Sequence, residues 1–150
     1  MGHVGDKLEF TGFGGFSQID ATLVKVIDPA IPTDTSTTPM PSGARWVGVE
    51  ITIDNHASNI GGQSSVVDAL ASDGSTLTTE DDYQGFSRQI GAFQGCTQTS
   101  GSEDDVQPFT HCEAFAVLDG QVLTRVGVKV GGAEIFSSLV PTDQAVWTVP

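Results

Sequence analysis

The chain has 150 residues, 38% of them apolar and 17% charged, which suits a single domain with a real core. Six Lys and Arg stand against nineteen Asp and Glu, a net charge of −13; nucleic-acid binding needs basic side chains to neutralise phosphates, so this balance argues against a nucleic-acid partner and against docking on anionic lipid. No segment approaches the roughly 20 apolar residues of a membrane helix, and no membrane span is expected.

Eighteen glycines and seven prolines favour many short elements joined by turns. A first strand is predicted over residues 4–10, broken by Gly12, Gly14 and Gly15. A second runs over 18–28. Its alternation slips at Val24-Lys25, which predicts a β-bulge, and Pro29 ends it for want of an N–H. Residues 30–43 hold three more prolines and six Ser/Thr and read as an exposed loop. The strand over 45–55 is the clearest. Val47, Val49, Ile51 and Ile53 share one parity, and Trp46, Gly48, Glu50, Thr52 and Asp54 share the other. That pattern predicts one face in a core and one in water.

A strand over 65–70 follows, then a turn at Asp73-Gly74 and a short strand over 76–79. The stretch 80–110 is the least regular, with a helical turn weakly signalled over 82–88. Strands follow over 111–118, 124–130 and 145–149, separated by the Asp119-Gly120 turn and by Gly131-Gly132. Short strands at this spacing predict one all-β domain over 1–150, an antiparallel β-sandwich of about 7–9 strands.

Cys96 and Cys112 enclose fifteen residues, and neither lies in a CxxC pair. Closing a loop of this length contributes about 3 kcal/mol in the chain-entropy model. A Ser/Thr/Gly/Asp-rich surface with few lysines fits an exported domain, so a Cys96–Cys112 disulfide is expected; the alternative is two buried thiols. Met1-Gly2-His3 has neither the basic segment nor the apolar run of a signal peptide. If the protein is exported, a leader would precede Met1, and a lipobox cysteine within it would place the protein on the membrane surface as a lipoprotein.

The succession VKVIDP (24–29), RWVGVEITIDN (45–55), CEAFAVLDG (112–120), VGVKV (126–130) and AVWTVP (145–150) resembles the actinobacterial secreted immunoglobulin-like domains of unknown function, a family that includes a mycobacterial secreted antigen. The resemblance covers most of the chain from about residue 18 and rests on strand patterns. It implies an immunoglobulin-like sandwich outside the cytoplasm, secreted or anchored to the envelope, and it brings no catalytic residues. Antibody-type domains hold their core tryptophan between the two cysteines. Here Trp46 precedes both, so a Cys96–Cys112 bridge would be local, tying a long loop to a strand.

Three groups of carboxylates could bind a cation: Glu80-Asp81-Asp82, Glu103-Asp104-Asp105, and the scattered Asp54, Asp68 and Asp73. Calcium favours such loop oxygens, which gives the alternative of a calcium-stabilised carbohydrate-binding module. The competing reading is solvated acidic loops, since the spaced ligands of an EF-hand are missing. His56 and His111 could serve acid–base chemistry in a remote hydrolase reading, but no GxSxG or HExxH is present. Phe13, Phe16, Phe86, Phe93 and Phe109 could form a contact patch or plug the core. The expectation is a non-catalytic binding module with no metal or cofactor, its partner another protein or an envelope component.

Overall fold

The computed structural model describes residues 1–11, 18–31, 33, 43–56, 65–78, 93–96, 108–130, 135–136 and 144–150. Among these are nine strands: β1 (Gly2–His3), β2 (Lys7–Thr11), β3 (Gln18–Ile27), β4 (Ala44–Asn55), β5 (Ser65–Ala71), β6 (Thr76–Thr78), β7 (Phe109–Leu118), β8 (Leu123–Val130) and β9 (Gln144–Thr148). They form a four-stranded sheet, β2-β3-β4-β7, and a five-stranded sheet, β1-β9-β8-β5-β6. The fold is an immunoglobulin-like β-sandwich, and no described residue is helical.

The alternation of β4 places its apolar parity between the sheets. Val47, Val49, Ile51 and Ile53 are all buried, with Ile19, Ala21 and Leu23 of β3 beside them. Val67, Ala69, Val126, Val128, Ala145 and Trp147 complete the core from the five-stranded sheet. Each large side chain buried here contributes about 1.5–3 kcal/mol. The predicted bulge is present: Leu23 pairs with Ile51 and Lys25 with Glu50, leaving Val24 as the extra residue. The shift returns Val26 to the core parity, opposite Val49, and turns Ile27 outward opposite Gly48.

Three expectations need correction. The single first strand is two strands, because residues 4–6 turn the chain from one sheet to the other. Gly5 has φ +96°, a region that L side chains rarely adopt. The Asp6 carboxylate accepts the His3 N–H at 2.9 Å, and the carbonyl of Asp6 accepts the Trp147 indole N–H at 2.9 Å. The sandwich is also not wholly antiparallel, since β1 pairs with β9 in parallel.

The third correction concerns the other face of β4, which is not all in water. Trp46 is 6% exposed, in a second cluster with Ala30, Phe93, Cys96, Cys112 and Ala114 on the outside of the four-stranded sheet. Residues 93–96 form this lid. The Gln94 N–H donates to the Ile31 carbonyl at 2.8 Å, and the Ala30 N–H to the Trp46 carbonyl at 2.7 Å. Gly48 lies directly under the Phe93 ring. Ala30 is therefore buried rather than part of an exposed loop.

Candidate functional site

Arg45 takes the inward parity next after Val47, at the place where the core ends. A guanidinium there has no apolar neighbours to satisfy it, and it spreads its five donors over the strand ends. Nε donates to Asp28 Oδ1 at 2.6 Å and Nη2 to Asp28 Oδ2 at 2.9 Å. Nη1 reaches the Leu118 carbonyl at 3.0 Å and Nη2 the Gln121 carbonyl at 2.7 Å. The bidentate fork is the strong form of this pairing, and hydrogen bonding to Asp28 raises the Arg45 pKa further above its ordinary value. One side chain thus fixes the end of β3, the end of β7 and the β7–β8 turn against one another.

Beside this clamp a cleft of about 400 Å³ opens between the sheets. Val26 and Val47 wall it on one side, and Val4, Leu123 and Val149 on the other, with Lys25 and Asp28 adding charge. Val122, also in its lining, is 51% exposed, and Leu118, at the opposite end of the turn, is 46% exposed. An open apolar cleft with a few placed polar groups is the usual form of a ligand site. Arg45 and the cleft were not legible as a site in the sequence. The one available signal was a cation in phase with the core residues of a strand.

The sequence-predicted residues fall as follows. Cys96 and Cys112 are bridged, with Cα atoms 6.1 Å apart, and the bridge ties the lid to β7 as expected. Glu80, Asp81, Asp82, Glu103, Asp104 and Asp105 lie outside the described residues, as do Phe13, Phe16, Phe86 and the helical turn over 82–88. Phe93 and Phe109 are buried, Phe93 as the lid's own side chain in the outer cluster and Phe109 in the main core. Asp54, Asp68 and Asp73 do not converge. Asp54 is on the outer face of β4, Asp68 is buried on β5 opposite Gly127, and Asp73 accepts the Ser75 N–H in the β5–β6 turn.

The two histidines stand on opposite faces of the four-stranded sheet. His111 pairs with Ile51 in register, so it faces inward at an edge strand, where Nε2 meets Glu113 Oε1 at 2.5 Å. His56 stands past the end of β4, its N–H donating to the Gln18 carbonyl at 3.0 Å. Its Nε2 meets Asp20 Oδ2 at 2.8 Å. That hydrogen bond, with the charges of Asp20, Asp54 and Glu9, raises the imidazole pKa above its ordinary value, against a smaller opposing effect of burial.

No protein-family model matches the chain, and no curated protein matches it in sequence. One solved structure is similar across nearly the whole length: MPT63, a secreted protein from Mycobacterium tuberculosis, 12% identical, with a TM-score of 0.51, covering 98% of this chain and 95% of that one. At this identity the likeness is one of fold, and what the two chains share is the β-sandwich.

Proposed function

We propose that this chain is a non-catalytic binding module that works outside the cytoplasm, secreted or held at the envelope, and that it engages a protein or envelope component through the strand-end cleft. The observation that carries this reading is the open apolar cleft beside exposed Val122, held by the Arg45 fork. A rigid frame with exposed apolar side chains at its edge lowers the ordering cost of association. The Cys96–Cys112 bridge fits an oxidising compartment. The resemblance to secreted actinobacterial immunoglobulin-like domains, and the fold shared with a secreted mycobacterial protein, point the same way.

The test is site-specific photocrosslinking in culture fluid and envelope of the native host. A photoreactive residue at Val122 is expected to give a discrete adduct, and one at Ser75, in the separate β5–β6 turn, is expected to give none. Equal labelling from both positions, or none from Val122, would sink the cleft as the binding surface.

A further inference from the structure

Across the outer face of the four-stranded sheet runs a row of three acidic residues. Glu9 of β2 is in register with Asp20 of β3, and Asp20 with Asp54 of β4. Like charges directly opposite on neighbouring strands repel, and the central member is the costly one. Asp20 is 6% exposed, and its Oδ1 is buried with no hydrogen-bond partner. Its Oδ2 has His56 Nε2 at 2.8 Å and the ammonium of Lys7 at 3.9 Å. Lys7 is 67% exposed and contributes little at that distance through water. A buried carboxylate oxygen without a donor is expensive. Three carboxylates against one ammonium leave the charge deficit of one divalent cation.

Strand geometry brings the donors to one point. Asp54 is on the outer face at the end of β4, His56 follows two residues later just past the strand, and Asp20 lies across from Asp54. One donor atom from each of Asp20, Asp54 and His56 lies within 4.8 Å of the others. Two ligands at the vertices of a tetrahedral zinc site stand about 3.4 Å apart, given bonds of about 2.0–2.2 Å. His56 Nε2 and Asp20 Oδ2 stand 2.8 Å apart and all three donors lie within 4.8 Å of one another, so small side-chain adjustments reach that spacing. The His56 side chain is 48% exposed and free to adjust, and its solvent side leaves room for water as a further ligand. One imidazole nitrogen with two carboxylate oxygens suits a borderline cation better than calcium, which prefers oxygen alone.

We infer that Asp20, Asp54 and His56 form a binding site for a divalent transition-metal ion of the zinc class on the outer face of the β3–β4 pair. This site is separate from the strand-end cleft and stands or falls independently of it.

The test uses the full chain stripped with a chelator and titrated with zinc chloride by calorimetry, with calcium chloride in parallel. His56 nitrogen shifts are followed by NMR. One zinc per chain is expected at the site, with a change at His56 Nε2 that calcium does not produce. Loss of a group that merely orients a metal ligand already weakens binding about 10–100-fold, so His56→Gln and Asp54→Asn should each weaken zinc by at least about tenfold. Both positions are partly exposed, and circular dichroism checks that the variants fold. Asp20→Asn should abolish the site, with the same check. Zinc affinity unchanged in His56→Gln and Asp54→Asn, or no zinc-dependent change at His56, would overturn the proposal, whatever cation the rest of this acidic chain takes up.

Discussion

Gly48 shows how much one missing methyl can decide. It sits in mid-strand, where glycine ordinarily weakens pairing, and the Phe93 ring occupies the space a Cβ would need. Phe93 is 1% exposed, so the ring has nowhere to retreat without opening the lid. Gly48→Ala is therefore expected to cost about 1–3 kcal/mol, as overpacking does, despite alanine's better strand behaviour. Phe93→Ala alone is expected to cost about 3–5 kcal/mol, the loss on truncating a buried aromatic. In the double variant the clash is gone, so the two costs should sum to more than the combined loss. Denaturant titration of the four proteins measures the cycle. Strict additivity would mean that the ring does not rest on Gly48.

At the scale of elements, β3 carries the device that lets one strand serve two cores. Before the bulge, Ile19, Ala21 and Leu23 face the sandwich. After it, Val26 packs against that core and Ile27 against the lid cluster. Val24, the extra residue, is 39% exposed. Its side chain is dispensable, and as the extra residue so is its place in the ladder. Val24→Ala should change stability by no more than about 0.5 kcal/mol, as at other surface positions. Deleting Val24 irons out the bulge but keeps Leu23 opposite Ile51, Lys25 opposite Glu50 and Val26 opposite Val49, so the domain should stay folded. Deleting Val26 instead moves Ile27 from the lid face to the core face and pulls Asp28 out of its place beside Arg45, and should cost several-fold more. Thermal melts followed by circular dichroism separate these outcomes, and a Val24 deletion that unfolds the domain while the Val26 deletion is tolerated would refute this placement of the bulge. The slip at Val24-Lys25 and the alternation from Val47 to Ile53 were legible in sequence because both are local. The burial of Trp46 was not, since a strand pattern cannot report what a distant segment lays over its polar parity. The Asp20–Asp54–His56 cluster was half legible. Asp54 and His56 already stood two residues apart, but Asp20 joins them only through cross-strand register. The clamp formed by Arg45 was not legible because Asp28 and the two carbonyls it holds arrive from other elements.

For the molecule as a whole, the four-stranded sheet has apolar clusters on both faces, and the disulfide holds the outer one in place. Cys112 is on β7 and Cys96 in the lid, which rests on Gly48 and Trp46 of β4. The main core does not depend on that bridge: its β3, β4, β7, β5, β8 and β9 residues meet through sheet pairing and side-chain packing. Breaking the bridge should therefore have two separable effects. Global stability should fall by about 3 kcal/mol, the loop-entropy value for a bridge of this span. The lid should also open in the still folded protein, because a segment held by few backbone bonds opens locally before the core does. The two tryptophans report these effects separately. Trp46 is 6% exposed under the lid, whereas Trp147 is 0% exposed between the sheets. Reduction, or the paired Cys96→Ala and Cys112→Ala change, should red-shift the emission of a Trp147→Phe protein and make it accessible to an aqueous quencher. The emission of a Trp46→Phe protein should stay blue until the whole domain unfolds. Trp147→Phe leaves a smaller ring in the core, so far-UV circular dichroism must first show that its sandwich is intact. If Trp46 stays shielded after reduction, the lid is held by Phe93 packing rather than by the bridge. If both tryptophans become exposed together, the lid and the sandwich are one cooperative unit and the outer cluster belongs to the folding core.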